Sequence, residues 1–576
     1  MNLDNFNSLV ELFFYQVDKQ NKESIFLQWL NPNNKKTYTW EETQKNIFKL
    51  SKVIKQNIKE GDRCLLVSEN RPEWFISDLA IMLSGGITVP AYTTYTEEDY
   101  KYLIEDCEPS LVIVSNNEML RKLSNTINKK DYIKKVITLD EIDKVINNLD
   151  LTNKEQYIDF GAILKNNLLE EDKIKNNKLK RTSPACIIYT SGTGGNPKGV
   201  ILSHGGILNN LVGACEIMKP LFNSRPVFLT WLPLSHSYEH CVQFAQIAVG
   251  AKVFYAERIE KLLENMSESK PTIMTAVPRF YQNLYNKINN NLKKQTGFKE
   301  KLINATLRLG NKKLLNQKMT FYERLVDLTV EILVRRKIKK QFGGNLKAFV
   351  SGGGALDREI GEFLNSVGLP TLQGYGLTET SPVVSCNPIH KIKVETVGPP
   401  FKGNEVKIAD DGEILVKGEN VMLGYWNKKE ETDKVIIDGW LYTGDIGEID
   451  QEDGYLKITD RKKDIIVNAG GDNISPAKIE NLITNETEID QCMVYGDKKN
   501  YLVALIVPSK DFAKEKDKIK IVIEKINKKL TLLEKIKKIQ LIDENFSIEN
   551  GLMTPTMKVK RKKVTEKYKD QLEKLY

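Results

Sequence analysis

The sequence predicts an α/β fold of more than one domain: a large N-terminal domain of several subdomains, one of them β-rich, and a small α/β C-terminal domain. Three observations point there. At 576 residues the chain exceeds what a single hydrophobic core accommodates. Amphipathic helical stretches alternate with short apolar runs over 37–115 and again over 185–280, the wiring of β–α–β units. From residue 405 the texture changes to short strands and turns, and a last α/β segment starts near 464.

Each element has a local reason. "TWEETQKNIFKLSKVIKQN" repeats apolar residues at helical spacing, "RCLLVSE" reads as a buried strand, and "EWFISDLAIMLSGG" reads as a helix stopped by glycine. "LVIVS", "VITLD", "ACIIYT", "PVFLTWLP", "AKVFYA" and "IMTAVP" are short apolar runs of strand length. Residues 281–342 form a long helical insertion rich in Lys and Arg. "EVKIADDGEILVKGEN" and "YLKITDRKKD" suit a β-rich subdomain, and "CMVYG" and "LVALIVP" are strands of the last segment, followed by a basic helical stretch over 518–539. The boundary falls between 1–462 and 463–576.

Composition excludes several classes. The longest apolar runs, such as "LVDLTVEILV" (325–334), carry charges and fall short of the ~20 residues of a bilayer span. The N-terminus shows no basic region followed by an apolar core and cleavage site, so a cytoplasmic location is expected. Seven cysteines, an odd number without CxxC spacing, argue against a disulfide framework or a zinc site and for buried, reduced thiols. The net charge of +9 is concentrated at the end, where residues 511–576 hold 18 Lys and Arg against 11 Asp and Glu. That excess lacks interleaved aromatics or a recognition motif, so nucleic acid is not an expected partner.

The chemistry starts at "YTSGTGGNPKGV" (189–200). Its glycines let backbone N–H groups approach an anion, Thr190, Ser191 and Thr193 add hydroxyls, and Lys198 adds a charge, which together suit a polyphosphate. It fits neither the Walker A pattern nor G-x-G-x-x-G. "QGYGLTETSP" (373–382) places Tyr375 where it can stack on a purine and Glu379 where it can take a hard cation. "VSGGGALD" (350–357) is another close-approach loop. "GWLYTGDIGEID" (439–450) sets Asp445 between glycines, where a carboxylate can accept from a ribose diol. "TDRKKDIIVNAGGDNISPAKIE" (459–480) brings Arg461, Lys462 and Lys463 beside a second glycine pair. Read singly, each is also an ordinary turn; together they supply phosphate, base, ribose and metal contacts.

These segments, in this order and spacing, resemble the adenylate-forming (AMP-binding) superfamily over residues 10–570. "WLPLSHSYEH" (231–240), "AVPRFY" (276–281) and the helical insertion resemble its long-chain fatty acid–CoA ligase branch. The resemblance implies a two-step reaction: a fatty acid carboxylate attacks the α-phosphorus of ATP, releasing pyrophosphate, and the thiol of CoA then displaces AMP from the acyl-adenylate. It implies that Thr190 and Glu379 hold Mg2+. It places Thr190, Ser191, Gly192, Thr193, Gly194 and Lys198 around the phosphates, and Gly353, Gln373, Gly374 and Tyr375 around the adenine. Thr378 falls at the α-phosphate, Asp445 and Arg461 at the ribose, and Lys463 and Asn473 among the remaining nucleotide contacts.

Charge accumulates on the α-phosphate in the transition state, where positioned cations lower the barrier. "GLMTPTMKVKRKKV" (551–564) resembles the family's terminal motif, and alignment on Thr554 and Arg561 selects Lys558 as the catalytic lysine, with Met557 where much of the superfamily has glycine. The resemblance sets His236 at the wall between acyl and nucleotide pockets and makes Lys463 a hinge about which the C-terminal domain reorients. His204, His240 and His390 read as structural, and no G-x-S-x-G exists to support a serine hydrolase.

The competing readings are an acyl-adenylate ligase that loads a carrier protein and a nonenzymatic nucleotide-binding protein of the same fold. Arg335, Arg336, Lys337, Lys339 and Lys340 beside "LVDLTVEILV" predict peripheral, salt-sensitive contact with the anionic inner face of a membrane. Chain length preference and oligomeric state, a homodimer included, stay open.

Overall fold

The computed structural model describes residues 2–576 except 34, 142–153, 169–177, 191–195, 471 and 555–557. Two eight-stranded sheets form its large N-terminal part. One runs, edge to edge, Ser385–Cys386, Thr371–Tyr375, Ala348–Ser351, Ile273–Ala276, Val227–Thr230, Lys252–Tyr255, Ile25–Trp29 and Thr37–Thr39. The other runs Gly424–Tyr425, Lys198–Ser203, Pro184–Thr190, Ile87–Ala91, Arg63–Val67, Leu111–Val114, Lys135–Thr138 and Tyr157–Asp159. Their interior strands pair in parallel, as alternating strands and helices require, except Lys198–Ser203, which is antiparallel to both its neighbours.

The strand sequences explain the layering. Both faces of the inner strands are buried, so the apolar runs are continuous and successive residues divide between two cores. Cys64 and Leu66 point into a core shared by the two sheets, whereas Leu65 and Val67 point into a separate outer one. Phe228 and Val253 join the shared core, and Leu229 and Phe254 a third. Helix Pro72–Leu83 lies between the sheets with every residue buried, which accounts for its lack of a polar stripe. Its acids are paired: Glu73 with Arg71 at 2.9 Å and Lys36 at 2.7 Å, Asp78 with His240 at 2.8 Å. Helix Trp40–Lys55 begins with the reciprocal Thr39–Glu42 capping box, a sequence signal for where the helix starts.

A five-stranded antiparallel sheet built from Asn404–Ile408, Glu413–Gly418, Ile436–Ile437, Trp440–Ile449 and Leu456–Arg461 follows. Beyond it, Ile489–Tyr495, Leu502–Pro508 and Ile536–Leu541 make a three-stranded sheet. Helices Pro476–Thr484 and Lys516–Asn527 pack their apolar residues into the core on one of its faces. Here too the alternation sorts Leu502, Ala504 and Ile506 from Val503, Leu505 and Val507. The seven cysteines are free, and all but Cys215 are buried.

Two expectations need correction. The basic stretch 518–539 is not one helix: it ends at Asn527, whose side chain exchanges hydrogen bonds with the backbone of Ile536, where a strand begins parallel to Leu502–Pro508. Arg335, expected to face lipid, is buried and ion-paired with Asp327 at 2.7 Å, because a guanidinium with two nearby carboxylates is held inward. Lys339 leans toward one of them, Glu331. No helix among the described residues is long and apolar enough to cross a membrane.

Candidate active site

Seven site residues, His236, Gly353, Gln373, Gly374, Tyr375, Thr378 and Glu379, lie at or beyond the carboxyl ends of parallel strands of the first sheet, the usual place for a ligand in an α/β sheet. Strands Ala348–Ser351 and Thr371–Tyr375 are neighbours with Ser351 opposite Gln373, which sets "SGGG" beside "QGYG". Gln373 accepts from the Leu356 N–H at 3.2 Å and donates to the Val394 carbonyl. Gly353 has φ +80°, a value that favours glycine. At Gly376 a Cβ would stand 1.8 Å from the Pro382 carbonyl oxygen, so only glycine fits that turn. Gly374 opens it, opposite Cys386.

Tyr375, Asp445 and Arg461 form one cluster. The Tyr375 hydroxyl donates to Asp445 Oδ2 at 2.8 Å and Arg461 Nε to Oδ1 at 2.9 Å. Antiparallel register places Asp445 directly opposite Arg461. Thr378 lies in a short helical turn and shares a hydrogen bond of 3.1 Å with Ser237. Asn210 steadies that turn, donating to the Thr380 carbonyl at 3.2 Å and accepting from the Val383 N–H at 2.5 Å.

His236 caps helix Ser237–Ala248, its Nδ1 accepting from the Tyr238 N–H at 3.2 Å. Its ring is half-buried, yet desolvation in the cleft, aided by the Lys558 charge, pulls its pKa down to about 4. It is therefore neutral at pH 7. Tyr238 spans to strand Ala348–Ser351, donating to the Val350 carbonyl at 3.1 Å.

Lys558 reaches this cluster from the far end of the chain. Its side chain is exposed to solvent, with protein mass and charge gathered in its wider surroundings. Desolvation, together with the Arg461 charge, lowers its pKa to about 8 against the opposing pull of Asp445 and Asp464. Two hydrogen bonds with Thr554, at 2.8 and 3.0 Å, close the turn that presents it. Met557 lies outside the described residues. Arg561, the other anchor of the motif, donates to the Val494 carbonyl at 3.1 Å and pairs with Glu480.

Thr190 and Lys198 face each other at the base of the glycine-rich loop. Ser191, Gly192, Thr193 and Gly194 lie outside the described residues. The Lys198 ammonium sits 4.8 Å above the Tyr425 ring and pairs with Glu431. The Tyr425 hydroxyl in turn donates to Glu379 Oε1 at 2.9 Å. Tyr425 and Glu431 therefore link the loop to the "TET" turn, and local reading missed both. The only signal was in the strand pairing, which brings Tyr425 opposite Val200.

Two expected residues stand apart. Lys463 is exposed in the turn 461–464, and Asn473 is exposed on a two-stranded ribbon with Val467. Neither side chain makes a polar contact with the cluster among the described residues.

The cluster offers carboxylates, cations and a tyrosine hydroxyl to a polar ligand. The AMP-binding enzyme model matches residues 13–426, and the AMP-binding enzyme C-terminal domain model matches 463–576. The chain belongs to the AMP-binding enzyme family. It is 33% identical to a long-chain-fatty-acid–CoA ligase of Mycobacterium bovis over 91% of this chain and 89% of that protein. It is 30% identical to long chain acyl-CoA synthetase 3 of Arabidopsis thaliana over 93% of this chain and 86% of that one. Its fold matches the crystal structure of an anthranilate CoA ligase in complex with anthranoyl-AMP, with a TM-score of 0.78, 18% identity and full coverage of both chains.

Proposed function

We propose that the protein is a long-chain fatty acid–CoA ligase, which activates a fatty acid with ATP to acyl-AMP and pyrophosphate and then transfers the acyl group to CoA. The observation that carries this reading is the convergence of Lys558, Asp445, Arg461, Tyr375, Thr378 and His236, drawn from distant parts of the chain, on one cleft. Its membership of the AMP-binding family and the names of its relatives support the substrate class.

In this reading Asp445 accepts from the ribose hydroxyls and Arg461 holds that carboxylate in place. Gly353, Gln373, Gly374 and Tyr375 bound the adenine. Thr378 and Lys558 meet the α-phosphate, where the ammonium offsets charge that grows as the carboxylate attacks. Neutral His236 can accept a hydrogen bond or pack against the acyl carboxyl without competing as a cation. Thr190, Lys198 and the residues between them take the β- and γ-phosphates.

Glu379 and Thr190 are a hard-oxygen donor pair suited to Mg2+. The second Glu379 carboxylate oxygen accepts no hydrogen bond among the described residues, and no cluster of three or more His, Cys, Asp or Glu competes there. So small a donor set fits an ion that draws most of its ligands from water and phosphate. When bound, the ion supplies charge neutralisation of the polyphosphate.

The part from 463 onward has its own cores, and we infer that it reorients about 461–464 so that CoA can enter after Lys558 has acted. Because the substrate is sparingly soluble, we also infer peripheral contact with an anionic membrane. The test is a panel of fatty acids from short to very long, following pyrophosphate release with and without CoA and acyl transfer to CoA against a carrier protein. Long acids should release pyrophosphate and yield acyl-CoA. Transfer to the carrier alone would exclude CoA as the acceptor, and no release with any acid would exclude the reading.

A further inference from the structure

Helix Phe321–Val330, with its continuation through residue 340, carries its polarity inside out. Phe321, Leu325, Leu328 and Ile332 recur at helical spacing and are 79%, 51%, 59% and 47% exposed, with Tyr322 and Leu333 exposed beside them. The opposite face buries the carboxylates of Glu323 and Asp327. Neither is stranded. Glu323 accepts from Arg308 and Lys312, each at 2.7 Å, and Asp327 from Arg335 at 2.7 Å, with Lys313 paired to it as well. Arg335 also donates to the carbonyls of Ser366 at 3.0 Å and Thr306 at 3.2 Å. Ion pairs thus hold this helix against helix Phe298–Leu314, and its apolar residues are turned outward.

An ordinary surface helix has the reverse pattern, and a contiguous exposed apolar face marks a binding surface. Its rim identifies the occupant. Arg324, Arg336, Lys337 and Lys340 are exposed, and none has an ion-pair partner among the described residues. A second copy of the chain meeting this face about a twofold axis would press those cations together. An anionic bilayer offers hydrocarbon to the apolar stripe and phosphate to the rim, as interfacial helices require.

We propose that this face lies in the headgroup layer of an anionic bilayer, with Phe321, Tyr322, Leu325, Leu328, Ile332 and Leu333 entering the acyl boundary. The inference rests on the membrane contact proposed above and assigns it to an apolar surface rather than to the basic residues alone.

The test is flotation with phosphatidylcholine vesicles, neutral or carrying about a third phosphatidylglycerol, at low salt and at about 0.5 M. Wild-type protein should float with anionic vesicles and retain part of that binding at high salt, because apolar insertion is not screened. Leu325→Gln/Leu328→Gln/Ile332→Gln, all at exposed positions, should partition at least tenfold more weakly while its thermal melt and its turnover of octanoate stay unchanged. Arg324→Glu/Arg336→Glu/Lys337→Glu should lose the preference for anionic over neutral vesicles.

The proposal is overturned if the glutamine variant floats like wild type, if salt releases the wild type completely, or if sedimentation finds a dimer that the glutamine variant dissolves. Pyrophosphate release is measured on the same preparations. A protein that floats but activates no acid sinks the ligase reading alone, and one that makes acyl-CoA but never floats sinks the lipid face alone.

Discussion

At Lys558 one cation is asked to act in one half of a two-step reaction. Lys558→Ala should slow adenylation by about 10²–10³, the scale of removing one transition-state donor, while thioester formation from supplied acyl-AMP continues. An equal fall in both half-reactions would make the lysine structural. Because its pKa is lowered to about 8, the ammonium is present below that pH and lost above it. Adenylation kcat/KM, which reports the free enzyme, should therefore decline above about pH 8, and Lys558→Arg should remove that limb from whatever activity remains. A profile unchanged by the arginine would assign the limb to another group. At Glu379, Gln keeps the shape and removes the charge. Activity should fall steeply and need more Mg2+, whereas an unaltered Mg2+ titration would take Glu379 out of the metal site.

Between elements, one specific contact joins helix Pro278–Lys293 to the part from 463 onward. Arg279, on helix Pro278–Lys293, donates to the Asp490 carbonyl at 2.7 Å and to its carboxylate at 2.5 Å. Gln282, nearly one turn on, donates to the Thr484 carbonyl at 2.6 Å and to Asn485 at 2.9 Å. These bonds exist in the arrangement that brings Lys558 to Asp445 and Arg461. Removing them with Arg279→Ala/Gln282→Ala should weaken adenylation several-fold and leave the thioester step from supplied acyl-AMP unaffected. Equal loss in both steps would show that the helix itself had been damaged.

For the whole molecule, alternation between two arrangements requires a pivot. The turn 461–464 is braced from the N-terminal side by Lys462, which bonds Asp411 at 2.7 Å and Glu413 at 2.9 Å. Lys463, next to it, is exposed, and its N–H makes no hydrogen bond among the described residues. Proline there would remove no such bond but would fix φ and restrict the preceding residue. Lys463→Pro should retain pyrophosphate release in the first turnover and lose acyl-CoA formation. Retention of both steps would move the pivot elsewhere.

What the sequence determined by itself is whatever a short window encodes. The β–α alternation, the Thr39 cap, the glycine turns at 352–354 and 374–376, and the motifs carrying Lys198, Glu379, Asp445 and Lys558 are all set by periodicity and local backbone chemistry. Tertiary structure alone decided which distant groups meet. Tyr425 on Glu379, Glu431 on Lys198, Asn210 behind the "TET" turn and Ser237 on Thr378 depend on sheet register and packing across many residues, which no local spacing reports. It also decided which side of helix Phe321–Val330 is buried. An ordinary surface helix buries its leucines, but here four basic side chains, Arg308, Lys312, Lys313 and Arg335, pair with its carboxylates and turn the apolar side outward.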